Sequence, residues 1–266
     1  MKRNLLIIAH GSRSEQWNAA IGDFVQELRS RLSGHADFNT IEHCYLELAQ
    51  PSISESLLRF AAAGDHACLI ALPLFLSVSE HVLHDIPQEV EGVAHKVEER
   101  EIYSLYEING QKIYLLDPPP TSVLLARNSA RRFRRNAVSS RSTSLILVYY
   151  GTRRYMDSWE QLARKVRDEL RKLLPEVKID WTYGGDAVDF SPQPLAEKIR
   201  QQAAVTERVM ILPALVSVGV VQTEVIPPAI AASGVEHQVI YPHDAVLPDS
   251  ELVEEVLRYI GAFQSN

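Results

Sequence analysis

The sequence contains few cysteines: only Cys44 and Cys68 occur in 266 residues, both in segments that we predict to be strands. Two isolated thiols do not form the disulfide framework of a small secreted domain. No apolar run approaches the roughly 18 residues that a membrane-spanning helix requires. The apolar run Leu5–Ala9 stops at His10 and predicts a buried strand instead of a signal peptide. We therefore expect a cytoplasmic protein without a membrane partner.

Positively charged residues are fewer than negatively charged ones. The sequence has 27 Lys and Arg residues and 34 Asp and Glu residues, which gives a formal net charge of −7. This balance argues against broad nucleic-acid binding, and we expect no nucleic-acid partner. One basic segment, residues 127–141, nevertheless contains six arginines. Two interpretations of it stay open, a solvated helix end with a linker or a patch that attracts an anionic ligand.

Hydrophobic residues make up 46% of the sequence and charged residues 23%, without a biased tract. This composition is typical of a globular protein that buries a core. One domain usually has roughly 100 to 200 residues. A chain of 266 residues is therefore expected to form two domains.

The two halves of the sequence repeat each other at an offset of 140 residues. Several separated motifs share this one offset, which indicates an internal duplication. The matching stretches are 9–13 with 149–153, 72–78 with 212–218, and Ile86-Pro87 with Ile226-Pro227.

Each half alternates short apolar runs with longer helical patterns, which is typical of βαβ units around a parallel sheet. We predict two similar doubly wound α/β domains of flavodoxin-like topology, residues 1–130 and 142–266, each with a parallel four-stranded sheet. The predicted strands are 4–10, 40–47, 67–75 and 112–117, then 144–150, 177–183, 207–214 and 237–241. The predicted helices are 14–33, 52–63, 81–92 and 119–135, then 156–174, 193–204, 220–232 and 249–263.

His10 and Glu47 end the first two predicted strands of the first domain, and His81 follows the third strand after a short loop. In doubly wound folds ligands bind beyond the C-terminal strand ends, so we expect these side chains to converge. Two imidazoles and a carboxylate are ordinary ligands of a divalent first-row metal. This ligand set does not discriminate among iron, cobalt, nickel and zinc. The alternatives are a loop hydrogen bond for His10 and simple exposure for Glu47.

His84 and Asp85 lie one turn after His81 if this segment is helical. Asp85 could then orient an imidazole, whereas His84 is typical of a surface or packing residue. In the second copy the candidate ligands are lost while the scaffold is kept. Because a residue needed for the fold tends to recur in both copies, this asymmetry favours a function. The replacements are Tyr150 for His10, Val221 for His81 and Val225 for Asp85.

These motifs resemble those of the sirohydrochlorin chelatases, which are class II tetrapyrrole metal chelatases. Longer members of that family contain two fused chelatase-like domains with the histidines in only one. The sequence departs from the family pattern at Ser79-Glu80, where a small residue often precedes the second histidine, and in a longer segment 106–111. The motifs that carry the resemblance are Ala9–Arg13, Tyr45–Leu48 with Pro51, Pro73–Leu76 leading to His81, and Asp85–Pro87.

The resemblance implies an enzyme, a lyase that inserts Fe²⁺ or Co²⁺ into sirohydrochlorin in siroheme or cobalamin biosynthesis. It implies His10 and His81 as metal ligands and proton acceptors, with Glu47 as a further catalytic residue. Ser12 and Arg13 are candidates for holding the carboxylates of the tetrapyrrole, although Arg13 is as well suited to a local cap or salt bridge. The metal is then a substrate, and no permanently bound cofactor is expected.

Two other functions stay open at this point. A carrier that binds metal or tetrapyrrole without turnover needs the same ligands. A flavodoxin-like module could hold a phosphate at Gly11-Ser12-Arg13, but no glycine-rich fingerprint follows the strand. A monomer is plausible, because duplication supplies the second domain that a single-domain relative would gain by dimerisation.

Overall fold

The computed structural model describes residues 3–32, 38–64, 68–75, 80–119, 121–137, 139 and 141–263. Leu76 and Ser79, which belong to the motifs noted above, lie outside the described residues. The chain divides into two compact units, Met1–Pro119 with Val253–Asn266 and Pro120–Leu252. Among the described residues, no helix is both long and apolar enough to cross a membrane.

The first unit is built on a sheet of six strands. They are β1 (Arg3–Ala9), β2 (Phe38–Tyr45), β3 (Cys68–Pro73), β4 (His95–Glu99), β5 (Tyr103–Ile108) and β6 (Gln111–Leu116). Their order in the sheet is β2-β1-β3-β6-β5-β4. β1 pairs in parallel with β2 and β3, and β3 pairs in parallel with β6. These four strands are the ones that the sequence predicts, and β1 is buried from Asn4 to Ala9, as a central parallel strand should be.

This sheet differs from the predicted parallel four-stranded sheet because β5 and β4 add two antiparallel strands. Asn109 and Gly110 join β5 to β6, and both have positive φ values, 51° and 79°. Two consecutive left-handed residues are what the tight type I′ hairpin turn requires. The added hairpin buries Tyr106 and Ile108 and so removes their apolar surface from water.

The helices of the first unit are α1 (Glu15–Leu32), α2 (Ile53–Ala63) and α3 (Ile86–Glu91). A reciprocal pair of hydrogen bonds starts α2: Glu55 N–H donates to Ser52 Oγ, and Ser52 N–H donates to the Glu55 carboxylate. A π-helical turn, His81–Asp85, leads directly into α3. The predicted helix 81–92 therefore begins with a wider turn than an α-helix has.

The second unit has the predicted sheet of four parallel strands. The strands are β7 (Thr143–Tyr149), β8 (Ile179–Tyr183), β9 (Arg208–Pro213) and β10 (Val239–Ile240), in the order β10-β9-β7-β8. The helices within this unit are α4 (Thr121–Asn136), α5 (Met156–Leu173), α6 (Gln193–Ala203) and α7 (Ile226–Ser233). A last helix, α8 (Ser250–Ala262), follows. The doubly wound α/β fold is thus confirmed in both units.

The repeat in the sequence extends to the backbone. In both sheets the first strand of the unit lies between its second and third strands. The hydrogen bond from Leu74 N–H to the Ile8 carbonyl, 2.8 Å, recurs as one from Ala214 N–H to the Val148 carbonyl, 2.9 Å. A π-helical turn, Val221–Val225, precedes α7 just as the turn His81–Asp85 precedes α3.

The units differ from the predicted domains, residues 1–130 and 142–266, because packing sets the division. α4 belongs to the second unit, where the buried Arg132 donates a 2.8 Å hydrogen bond to the Pro213 carbonyl. Residues from Val253 onward belong to the first unit. There the ring of Phe263 packs against those of Tyr103 and Tyr114, at centroid distances of 5.3 and 5.2 Å.

The basic segment 127–141 is largely paired with carboxylates of the second unit. The ion pairs are Arg131 with Asp249 and Glu251, Arg132 and Arg135 with Asp244, and Arg141 with Glu176. Arginines that are paired in this way have little charge left for an anionic ligand. The segment therefore contributes ion pairs to the second unit, while Arg135 and Arg141 stay largely exposed, at 69% and 81%.

Candidate functional site

The first unit brings the predicted strand-end residues to one edge of its sheet. His10 follows the central strand β1, Glu47 follows β2, and His81 opens the π-helical turn after β3. Parallel pairing continues past the strand ends, since Glu47 N–H donates a 3.0 Å hydrogen bond to the His10 carbonyl. This edge lies at the β1/β3 position where doubly wound sheets of this strand order bind their ligands.

The three side chains lie close together and remain accessible. His10 Nε2 is 3.4 Å from Glu47 Oε1, and the rings of His10 and His81 are 4.8 Å apart, nearly perpendicular. Their side chains are 36%, 49% and 37% exposed for His10, Glu47 and His81. An incoming ion or molecule can therefore reach all three.

The hydrogen bonds of His10 determine which nitrogen faces the site. Its Nδ1 is 2.9 Å from the Gly11 carbonyl, which can only accept, so Nδ1 carries the proton. In the neutral imidazole Nε2 is then an unprotonated acceptor, and it faces another acceptor, the Glu47 carboxylate. Two facing acceptors are complementary to a cation, either a proton or a metal ion.

Gly11 allows this approach of the two loops. Its φ is +90°, and a Cβ at this position would lie 1.9 Å from the Glu47 carbonyl oxygen. Any side chain would push the segment after β1 away from the segment after β2. Glycine is therefore required for His10 to lie beside Glu47.

His81 and Phe75 complete the edge. His81 Nδ1 lies 2.6 Å from Asp85 Oδ2, within the same π-helical turn. Phe75 lies 6.3 Å, centroid to centroid, from both imidazole rings and gives the site an apolar wall. Phe75 lies in the motif Pro73–Leu76, and its position just after β3 is the signal by which a sequence could identify it as a site residue.

Ser12 and Arg13 belong to the loop between β1 and α1. Asn18 fixes this loop, because its side chain accepts from Ser12 N–H at 3.1 Å and donates to the Ser12 carbonyl at 2.8 Å. Ser12 Oγ accepts a hydrogen bond from Ser14 N–H, which leaves its own hydroxyl proton available. Arg13 is exposed and forms no ion pair with another described residue.

The corresponding edge of the second unit is closed by packing. Gly185 takes the place of Glu47, since Gly185 N–H donates to the Tyr150 carbonyl as Glu47 N–H does to that of His10. Val221, in the place of His81, is only 2% exposed, and a Cβ at Gly184 would lie 2.6 Å from its side chain. Gly185 lies 138 residues after Glu47 and not 140, so only the backbone pairing reveals this replacement.

The arrangement in the first unit is an accessible cluster of two imidazoles and a carboxylate. Within the described residues, no group of three or more His, Cys, Asp or Glu side chains is placed to hold a metal ion. A metal ion at this edge would take further ligands from water or from a bound molecule, or would draw the side chains closer. A metal ion that binds temporarily and is then passed on needs such open coordination, whereas in a structural metal site the protein fills every ligand position.

Comparison with known proteins shows what the first unit is similar to. Residues 4–112 match the model of the CbiX family. A sirohydrochlorin cobaltochelatase of Sulfurisphaera tokodaii is 27% identical over 114 residues, which are 43% of this chain and 77% of that protein. A sirohydrochlorin ferrochelatase of Priestia megaterium is 31% identical over 99 residues, 37% of this chain and 35% of that protein.

Two solved structures share the fold over the whole chain. SirB from Bacillus subtilis, solved with Fe³⁺, has a TM-score of 0.74 at 17% identity and is matched along its full length. A multi-domain protein of Deinococcus radiodurans with structural similarity to chelatases has a TM-score of 0.73 at 18% identity, and 56% of its chain is matched. At these identities the likeness shows the fold alone.

Proposed function

We propose that the protein is a chelatase that inserts Fe²⁺ or Co²⁺ into sirohydrochlorin, on the premise that residues 4–112 match the CbiX family model. The observation that carries the proposal is the juxtaposition of His10, Glu47 and His81 at one strand edge, with His10 Nε2 only 3.4 Å from Glu47 Oε1. The names of the sequence relatives, cobaltochelatases and a ferrochelatase, support the same reaction. The product would serve siroheme or cobalamin biosynthesis, according to the metal.

The first task of these residues is to hold a metal substrate that has lost part of its water. The Nε2 lone pair of His10 faces the site because Nδ1 is bound to the Gly11 carbonyl. Imidazole nitrogen suits iron and cobalt alike, and the Glu47 carboxylate offsets part of the charge of the dication. The partial exposure of all three side chains lets the ion pass on to a second set of ligands.

The second task is to accept protons. A divalent metal replaces two pyrrole N–H protons, so two protons leave the macrocycle for every ion that enters. Imidazoles have an unperturbed pKa of about 6.5 and accept protons near neutrality. The Glu47 carboxylate lies 3.4 Å from His10 Nε2 and so places a second acceptor beside the first.

The third task is to hold the flat, carboxylate-bearing substrate. Phe75 offers an aromatic surface next to both imidazoles. Arg13 is exposed, and the Ser12 hydroxyl can still donate a hydrogen bond. Both are suited to a substrate carboxylate, Arg13 by charge and Ser12 by a hydrogen bond.

The test is anaerobic absorbance of sirohydrochlorin with Co²⁺ or Fe²⁺ at substoichiometric protein. We expect multiple turnovers, and a loss of at least about 100-fold in His10→Ala and in His81→Ala, because each removes a ligand and proton acceptor. His84→Ala is the matched control, since it removes an exposed imidazole from the same turn. Insertion no faster than without protein would refute the chelatase, and metal or tetrapyrrole retained without turnover would indicate a carrier.

A further inference from the structure

The side chain of Asp85 makes a contact that the turn around it does not require. Asp85 directly precedes α3, a position where Asp often accepts hydrogen bonds from backbone N–H groups of the helix. It makes no such side-chain bond. Its carboxylate instead lies 2.6 Å from Nδ1 of His81, at the other end of the π-helical turn.

The second copy shows that this pair is not needed for the backbone. The π-helical turn Val221–Val225 also leads into a helix through Ile-Pro, and its first and last residues are both valine. Neither valine can donate or accept a hydrogen bond through its side chain. The same turn therefore forms without the His–Asp pair, and the pair must be explained by what it does to His81.

The contact settles the tautomer of His81. A carboxylate only accepts hydrogen bonds, so Nδ1 of His81 carries the proton that it donates to Asp85. In the neutral ring Nε2 then holds a lone pair. His10 has the same tautomer for a different reason, the backbone carbonyl of Gly11 on its Nδ1. Both imidazoles therefore present Nε2 as the free nitrogen.

We propose that Asp85 is a positioning residue that holds His81 with Nε2 free to bind the metal substrate. The proposal rests on the function proposed above. A carboxylate on Nδ1 fixes the ring orientation, makes the other nitrogen a better donor to a cation, and adds negative charge near the incoming dication. Because both side chains are partly exposed, 37% for His81 and 40% for Asp85, the hydrogen bond is also needed to keep the ring from rotating.

The first experiment measures Co²⁺ binding alone, by anaerobic titration followed by visible absorption. Asp85→Val copies the residue that the second copy has at this position, so the turn is expected to form. We expect Asp85→Val to weaken Co²⁺ binding about 10- to 100-fold and to change the Co²⁺ absorption spectrum. Asp85→Glu, which retains the carboxylate, should recover most of the affinity, and His84→Ala should bind as the wild type does.

The second experiment determines the tautomer without metal, by ¹⁵N-histidine NMR with His81→Ala to assign the signal. We expect His81 to be protonated on Nδ1 in the wild type and to shift toward protonation on Nε2 in Asp85→Val. A purely structural role of Asp85 would change thermal stability but not this ratio. An unchanged tautomer in Asp85→Val would overturn the proposal.

The outcomes separate this proposal from the proposed function. If His81→Ala abolishes insertion while Asp85→Val retains both Co²⁺ affinity and activity, Asp85 has no positioning role and the chelatase still stands. If the wild-type protein neither binds Co²⁺ nor accelerates insertion, the proposed function is wrong. The NMR measurement then still decides whether Asp85 sets the tautomer of His81.

Discussion

His10 and Tyr150 occupy equivalent positions in two copies of one fold, yet their chemistry differs. Burial raises the pKa of the Tyr150 phenol, and the carboxylate of Asp186 raises it further. The phenol therefore stays protonated at neutral pH and offers no anionic ligand. Gly185, the counterpart of Glu47, has no side chain to replace the carboxylate. At the scale of single residues, the second copy has lost both members of the His10–Glu47 pair.

Gly11→Ala tests whether the approach of two loops creates this pair. The added Cβ would lie 1.9 Å from the Glu47 carbonyl oxygen, at a φ of +90° that L-residues avoid. We expect the free energy of unfolding to fall by at least about 2 kcal/mol. We also expect Co²⁺ affinity to fall, because Glu47 is displaced from His10. Denaturant unfolding and Co²⁺ titration are the measurements.

Gly64→Ala is the control for this change. Gly64 has a similar positive φ, 63°, but no described atom lies within 4 Å of an added Cβ. We expect it to lose only about 1 kcal/mol of unfolding free energy and to keep its Co²⁺ affinity. Equal losses of affinity in the two variants would contradict the role assigned to the loop contact.

At the scale of elements, patterning predicts the four parallel strands of the first sheet and misses the two antiparallel strands beside them. The sequence predicts four strands of the first sheet from their apolar residues, namely β1, β2, β3 and β6. β4 reads His-Lys-Val-Glu-Glu, and its exposed edge position leaves no alternation to detect. The hairpin was nevertheless detectable, because Asn109-Gly110 between two apolar runs is a strong local signal. The π-helical character of the turn before α3 has no such signal.

Ser52→Ala tests an element boundary that the sequence does specify. It removes one half of the reciprocal hydrogen bonds at the start of α2, so the free energy of unfolding should fall by about 1 kcal/mol. Co²⁺ affinity should not change, because α2 carries none of the proposed ligands. Leu58→Ala, an exposed position on the same helix, should change stability by less than about 0.5 kcal/mol. Equal effects would refute the capping role.

At the scale of the whole molecule, residues 4–112 match the CbiX family model, and the predicted duplication matches the two sheets. The sequence also identifies His10, Glu47 and His81 as neighbours, because strand ends of a parallel sheet meet at one edge. It does not identify the division into units. That division depends on where the buried faces of α4 and α8 pack. An amphipathic pattern shows that a helix has a buried face, but it does not show which unit that face packs against.

The closed edge of the second unit leads to a prediction for the molecule as a whole. Restoring both imidazoles with Tyr150→His and Val221→His should not create a second metal site, because Gly185 supplies no carboxylate and Val225 cannot hold the ring. Equilibrium dialysis with Co²⁺ should give the same stoichiometry as the wild-type protein. Adding His10→Ala to this variant should abolish binding. A second bound equivalent would show that histidines alone make the site.

The membership of Val253–Asn266 in the first unit has a consequence for biosynthesis. A chain leaves the ribosome from its N-terminus, and domains made of one continuous segment can fold in that order. The aromatic contacts of Phe263 with Tyr103 and Tyr114 cannot form until Phe263 itself has emerged. The second unit, Pro120–Leu252, needs no later segment. The unit that carries the imidazoles is therefore completed only after the whole second unit has been translated.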